Sequence, residues 1–281
     1  MSNLQNNLRR YRFDSHVCAF STTRKGGYSE GSYGEFNINP YCGDNPEHVE
    51  RNLQLLTTQL RLRDKAHIIL PHQTHGMELR HITREFLALP TAQRTAQLEG
   101  IDGLLTNVPD ICIGVSTADC VPIILYDTEH HASCVLHAGW RGTVGRIASK
   151  GIKAMQQAFG TNPDNVQALI GPAIMIESYE VGRDVWQQFA DAGFDLKQLG
   201  YPKVPPQGVT VSEADRKYLI NLPRCNEMQL LEAGLHPHRI VQTARDTYTH
   251  ADEFFSARRL GADSGRIYTG IILRKPIDNK N

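Results

Sequence analysis

The run V-C-A-F-S-T-T at residues 17–23 is apolar and β-branched, which predicts a strand, and it opens onto a glycine-rich loop over 24–34 (R-K-G-G-Y-S-E-G-S-Y-G). Asp44, Asn45 and Pro46 then carry the signature of a helix start, with Val49, Leu53, Leu56 and Leu60 following at helical spacing. Residues 67–70 form a short apolar strand that runs directly into P-H-Q-T-H-G at 71–76. In the middle of the chain, 103–105 and 111–115 predict strands. The runs V-P-I-I-L-Y at 121–126 and A-S-C-V-L-H at 132–137 flank a polar turn and predict an antiparallel hairpin. An amphipathic pattern over 143–159 predicts one continuous helix ending at Gly160. Beyond it the pattern predicts a strand at Val166–Ile170, a helix over 184–192, and a longer helix over 214–234 interrupted near Pro223. Closing strands are expected at 240–243 and at Ile267–Leu273.

This order lacks the regular strand–helix alternation of a doubly wound sheet. The expectation is an α+β fold, with mixed β-sheets packed against helices. Nothing repeats and no linker cuts the chain, so residues 1–281 read as one domain, with residues 1–12 a loosely ordered N-terminal extension.

Composition narrows the function. Thirty basic and thirty acidic residues balance, so no charge excess draws the chain to nucleic acid or to an anionic membrane. No apolar run is long enough to span a bilayer, and the polar start M-S-N-L-Q-N-N does not read as a signal peptide, so the expected location is cytoplasmic. The cysteines at 18, 42, 112, 120, 134 and 225 form no C-x-x-C pair. A metal site in this chain must therefore be assembled from residues distant in sequence.

The hairpin supplies a place for one. With its turn near residues 129–130, positions whose numbers sum to about 259 lie opposite each other. Cys120 and His137 then fall at the same end of the hairpin, diagonal neighbours on one face. Thiolate with imidazole suits zinc. Either His72 or His75, just past the strand at 67–70, is placed to add a third ligand. Three protein ligands leave a fourth position for water or substrate, the arrangement of a catalytic site. After His137 the segment A-G-W-R-G-T leads into the predicted helix, where Arg141 offers a fork suited to phosphate or carboxylate. The loop behind Arg24 contains no Walker A pattern. Asp119, beside Cys120, is a candidate general acid or base, or a partner that orients a ligand.

Taken together these motifs resemble the YfiH-type, or laccase-domain, family, long labelled multicopper polyphenol oxidases. The resemblance covers nearly the whole chain. It includes S-T-T-R-K-G-G-Y-S-E-G from Ser21, F-N-I-N from Phe36, C-G-D-N-P-E-H-V-E-R-N from Cys42 and H-Q-T-H-G from His72. It continues with T-A-D-C-V-P-I from Thr117, H-A-G-W-R-G from His137, I-G-P-A-I from Ile170, Y-E-V-G from Tyr179, T-Y-T from Thr247, F-F-S-A-R-R from Phe254 and the pair Gly265-Arg266. The resemblance implies that zinc, in preference to copper, is held by His75, Cys120 and His137, and it selects His75 over His72. It implies an α+β sandwich.

The implied activity is phosphorolysis of adenosine, inosine, guanosine and methylthioadenosine, together with deamination of adenosine. The partners are then purine nucleosides and inorganic phosphate, bound by a monomer or homodimer. Asp119 and Arg141 are the catalytic candidates, and Arg24, Asn37, Gln73 and Arg141 the substrate-binding ones. Deamination needs an activated water, which an open zinc site supplies. Two positions depart from the family pattern: Ser178 and Asp246 stand where cysteines are common. Rival readings are copper-dependent phenol oxidation, hydrolytic editing of a cell-wall precursor, and a non-catalytic zinc module. The chain has a single H-x-H, His236-Pro-His238, and no H-C-H, short of the many such arrangements that copper clusters use.

Overall fold

The structure is a computed structural model that describes residues 7–275. Two sheets stack face to face. The first has five strands: β1 (Leu8–Tyr11), β2 (Val17–Thr22), β3 (Ile68–Ile69), β6 (Cys112–Thr117) and β14 (Ile267–Leu273), in the spatial order β1-β2-β14-β6-β3. The second has six: β4 (Glu78–His81), β5 (Ile101–Thr106), β7 (Val121–Asp127), β8 (Ala132–Ala138), β9 (Val166–Ile170) and β13 (Ile240–Gln242), in the order β13-β9-β7-β8-β5-β4. A small third sheet joins β10 (Glu180–Val181), β11 (Gly200–Pro202) and β12 (Tyr218–Ile220).

Side-chain alternation explains the stacking. On β7, Val121, Ile123 and Leu125 face one way, while Ile124 and Tyr126 face the other. The latter meet Ile113 and Val115 of β6 and Ile271 and Leu273 of β14, filling the space between the sheets. The former pack beneath α5 (Ile147–Phe159), through Ile147, Ala148, Ile152 and Met155. On the outer face of the five-stranded sheet, α1 (Pro46–Gln59) lays Leu56 against Phe20, Tyr268 and Ile272. Strands buried on both faces read as nearly continuous apolar runs, which is how β7 and β8 appear in the sequence. The α+β class expected from element order, and the sandwich implied by the family resemblance, are the fold observed.

The hairpin forms in the expected register, Val121 opposite Ala138 and Pro122 opposite His137. Asn45 caps α1 through its side chain, and Gly160 closes α5 in the left-handed conformation. The remaining helices are short: α2 (Arg84–Ala88), α3 (Thr91–Gln97), α4 (Trp140–Val144), α6 (Arg183–Asp191), α7 (Leu196–Leu199), α8 (Leu222–Glu232) and α9 (Ala257–Leu260).

Three expectations need correction. The helix predicted over 143–159 is broken, because α4 ends at Val144 and Arg146 is left-handed at φ 64° before α5 begins. The break is held from outside. Buried Gln229 of α8 accepts from the Ala148 amide and donates to the Thr143 carbonyl, replacing bonds the interrupted helix lacks. A side chain on Gly145 would collide with Met77 Sδ at 1.8 Å. Second, residues 214–234 are not one helix: β12 precedes α8, and Pro223 sits in the first turn of α8 instead of kinking a longer element. Third, part of the supposed N-terminal extension is ordered, since Leu8–Tyr11 pairs antiparallel with β2. Residues 1–6 lie outside those described.

Candidate metal centre

His75 lies in the loop after β3, Cys120 in the turn between β6 and β7, and His137 near the end of β8. These strand ends meet at one edge of the stacked sheets. The ligand-type atoms of the three side chains all lie within 4.8 Å of one another, and among the described residues they are the one such group. His72, the alternative, is not in this group and is engaged elsewhere: its Nδ1 bonds Glu99 at 2.8 Å and its ring stacks on Tyr41.

Asp102 of β5 builds the frame. Its Oδ1 bonds His137 Nδ1 at 2.6 Å and accepts the His75 amide at 3.1 Å, while Oδ2 accepts the amides of Gly76 at 2.7 Å and Thr74 at 3.3 Å. One buried carboxylate thus fixes the ring of one ligand and the backbone of another. An ionised carboxylate only accepts, so His137 carries its proton on Nδ1 and leaves Nε2 for the centre. Burial alone raises the Asp102 pKa, but the bond and charge of His137 and the Gly76 and Thr74 amides bring it below the usual carboxylate value. His75 itself is left-handed at φ 62°, a conformation that non-glycine residues rarely adopt and that the Asp102 bonds hold.

The electrostatics favour a cation. Burial pushes the Cys120 thiol up, yet the charges of His137 and His75 and their hydrogen bonds outweigh it and lower the pKa to about 6. Burial likewise lowers His137, but Cys120 and Asp102 raise it to about 9. The pair therefore rests as thiolate and imidazolium, and a metal ion can take the place of the shared proton. Gly139 keeps the space: a Cβ there would sit 3.1 Å from both Cys120 Sγ and His75 Cδ2. The donor set of two imidazoles and a thiolate, with the ring tautomer fixed from behind, fits a zinc ion.

Two hollows border the triad. A wide cleft of about 620 Å³ contains His75 and Cys120 with Trp140, Arg141, Tyr179 and Asp184. A narrow cavity of about 180 Å³ touches all three ligands, with Gln73, Ser116 and Arg266. Two further hollows, of about 440 and 480 Å³, do not reach the triad.

The sequence-derived candidates divide accordingly. Arg141 lines the wide cleft, its guanidinium 4.3 Å from the Trp140 ring centre. It starts no long helix, since α4 has five residues. Gln73 lines the narrow cavity while clamping Ser116, donating to its carbonyl at 2.8 Å and accepting its amide at 2.7 Å. Asp119 borders the wide cleft with both oxygens engaged, Oδ1 by the Thr247 hydroxyl and Oδ2 by the Arg258 amide, each at 2.7 Å. Arg24 and Asn37 line neither hollow. Arg24 donates to the carbonyls of Gly34 and Ala251, and Asn37 binds Asn39, Asp44 and the Arg266 amide. These bonds brace the loops that carry them. Sequence reasoning missed Asp102, although a lone carboxylate within the apolar I-D-G-L-L is a signal that could have found it. The two departures from the family pattern also meet, with the Ser178 hydroxyl donating to Asp246 Oδ2 at 2.6 Å.

A family model described as multi-copper polyphenol oxidoreductase laccase matches residues 18–274. The chain belongs to this YfiH-type family. A purine nucleoside phosphorylase of Bacteroides thetaiotaomicron is 42% identical over 262 residues, 93% of each chain. A protein named adenosine deaminase RL5, from an unknown prokaryotic organism, is 39% identical over 255 residues, covering 91% of this chain and 93% of that one. The crystal structure of the Bacillus licheniformis hypothetical protein YfiH superposes with a TM-score of 0.81 at 27% identity, over 92% of this chain and 93% of that one. The chain is thus a member of a family linked to nucleoside processing, with a three-residue centre capable of holding a metal.

Proposed function

We propose that this protein is a zinc-dependent purine nucleoside enzyme that phosphorolyses adenosine, inosine, guanosine and methylthioadenosine and deaminates adenosine. The observation that carries the reading is a His–Cys–His centre with no fourth ligand among the described residues, bordering a cleft of about 620 Å³. That volume lies in the usual range for small-molecule sites. The names of the relatives, a phosphorylase and a deaminase, support both activities.

Zinc held by His75, Cys120 and His137 supplies a Lewis acid at the edge of the cleft. The chain's own groups do the rest. Trp140 and Tyr179 offer aromatic faces to a purine, and Arg141, whose guanidinium lies over the Trp140 ring, is available to a polar group of the substrate. In phosphorolysis the bond between the base nitrogen and C1′ breaks, a phosphate oxygen bonds C1′, and the base leaves with a proton. In deamination water adds at C6 and ammonia leaves. Asp119 serves by latching Thr247 and Arg258 around Cys120, because both of its oxygens already accept hydrogen bonds. A cytoplasmic place of action belongs to the same reading, since Cys120 must stay reduced to act as a ligand.

The test is incubation with adenosine, with and without phosphate, followed by separation of products. Adenine with ribose 1-phosphate reports phosphorolysis and inosine reports deamination. Adenosine unchanged under both conditions defeats the proposal. The family description favours copper as a second reading. One three-ligand group among the described residues does not suit a multi-copper cluster. Metal analysis of protein purified without added metal separates the two: copper with phenol oxidation would overturn zinc.

A further inference from the structure

Trp140 and Tyr179, the aromatic rings of the wide cleft, each carry an arginine. The guanidinium carbon of Arg141 lies 4.3 Å from the Trp140 ring centre, and that of Arg258 lies 5.6 Å from the Tyr179 ring centre. All four residues line the cleft. A guanidinium laid over a ring is oriented by the cation–π attraction, while its N–H groups stay free for an acceptor. Arg258 gives one of them to the Glu180 carbonyl at 3.0 Å, and the Arg141 side chain donates to no group among the described residues. No cleft carboxylate takes up either fork. Asp119 is bonded by the Thr247 hydroxyl and the Arg258 amide, Glu180 pairs with Lys203, and Asp184, in the first turn of α6, forms no ion pair among the described residues.

The two arginines are rooted beside the same ligand. The Arg258 amide donates at 2.7 Å to Oδ2 of Asp119, the residue before Cys120. Arg141 stands two residues past Gly139, where a Cβ would be 3.1 Å from Cys120 Sγ. Both forks therefore start from the rim of the metal centre and face the cleft that borders it. A nucleoside is neutral and gives two unpaired guanidiniums no charge to meet. The second substrate of phosphorolysis does, because a phosphate dianion offers several acceptor oxygens in the geometry that guanidinium forks match.

We infer that Arg258, together with Arg141, is the phosphate-binding residue of the wide cleft, and that Trp140 and Tyr179 serve to hold the two guanidiniums ready for inorganic phosphate. The assignment rests on the phosphorolytic reading above. It puts phosphate and nucleoside in one cleft, as attack of a phosphate oxygen on C1′ requires. Arg258 takes the part that the motifs gave to Arg24, which lines neither hollow of the centre.

The experiment is steady-state phosphorolysis of adenosine at varied phosphate, in wild type, Arg258→Gln, Arg258→Lys and Arg259→Gln. Arg258→Gln removes the charge and most of the donors, and should raise the phosphate KM about tenfold or more with little change in the adenosine KM. Arg258→Lys keeps the charge without the fork and should recover only part of that loss. It carries the test if Arg258→Gln fails to fold. Arg259 bonds the Tyr248 carbonyl and does not line the cleft, so Arg259→Gln should keep a phosphate KM close to wild type. Deamination uses no phosphate, so at subsaturating phosphate the ratio of phosphorolysis to deamination should fall in Arg258→Gln. An equal loss of both activities means that Arg258 only supports the fold of the cleft, and overturns the assignment. So does a wild-type phosphate KM, or weakened binding of adenosine 5′-monophosphate with inorganic phosphate unaffected. A protein that leaves adenosine intact sinks the functional reading alone. Calorimetric titration of inorganic phosphate then decides the clamp: weaker binding in Arg258→Gln upholds it, and equal binding, or none in wild type, overturns it.

Discussion

Replacing Asp102 with asparagine tests the frame of the metal centre with almost no change of shape. Four donors converge on this carboxylate, from His137 at 2.6 Å, Gly76 at 2.7 Å, His75 at 3.1 Å and Thr74 at 3.3 Å. An amide keeps one acceptor oxygen and turns the other into a donor. If its NH₂ faces His137, the imidazole can accept at Nδ1 only by moving its proton to Nε2, the nitrogen the metal needs. If the NH₂ faces Gly76 and Thr74, it meets two N–H groups and displaces the loop that carries His75. Each orientation therefore costs one ligand.

Loss of a partner that orients a ligand lowers metal affinity about 10- to 100-fold, or about 1.4–2.7 kcal/mol. The metal-free protein should also lose about 2 kcal/mol, the scale of a buried donor left unpaired. Zinc competition against a chromophoric chelator measures the first effect and urea unfolding of the metal-free protein the second. A folded Asp102→Asn protein that binds zinc within about twofold of wild type would refute the claim that this carboxylate sets the ligand geometry.

Other expectations follow from the same contacts. Cys120→Ala should lose stoichiometric zinc and nucleoside turnover together; wild-type turnover without zinc would end the catalytic-zinc reading. In Gly139→Ala the new methyl presses on two ligands, so chelator competition should show weakened zinc binding while urea unfolding of the metal-free protein moves by less than about 1 kcal/mol. Gln229→Ala should cost about 1–3 kcal/mol in urea unfolding, since it strands the buried Ala148 amide and takes one donor from the Thr143 carbonyl at the helix break; a loss below about 0.5 kcal/mol counts against that role. Asp127 provides the pH test. Burial raises its pKa, but Thr161, His130 and the Glu129 amide lower it overall. A depressed native value means its stabilisation is complete above the unfolded value of about 3.9 and fades as pH falls through the lower native one. The stability gap between wild type and Asp127→Asn in urea should therefore be widest near neutrality and shrink below about pH 4; a gap that does not change with pH contradicts the assignment.

The hairpin was legible because its information is local: two β-branched runs around a polar turn set both the alternation and the register that pairs Pro122 with His137. The helix break at Gly145–Arg146 was not, because the group that stabilises it, Gln229, arrives more than eighty residues later. Tyr218–Ile220 is too short for its apolar triplet to distinguish a strand from a helix turn; pairing with β10 and β11 decides it. The L-R-R-Y of β1 has no apolar rhythm, and its order comes from the edge of β2. The site follows the same division. Cys120 and His137 share the hairpin and could be brought together from local geometry. Choosing His75 over His72 needed the family motif, and the structure supplies the cause, since Asp102 holds the His75 backbone while Glu99 takes the His72 ring. Arg24 and Asn37 were singled out from motifs, and what no motif shows is that they bond backbone carbonyls and neighbouring side chains. The centre is thus a property of the sheet edge. The ends of β3, β6 and β8 meet only once the two sheets stack, and Asp102, in the strand beside β8, ties the His75 loop to the His137 ring. A change that loosens the packing of β6 on β8 should therefore weaken zinc binding even where no ligand is touched, and one at a distant edge such as β13 should not.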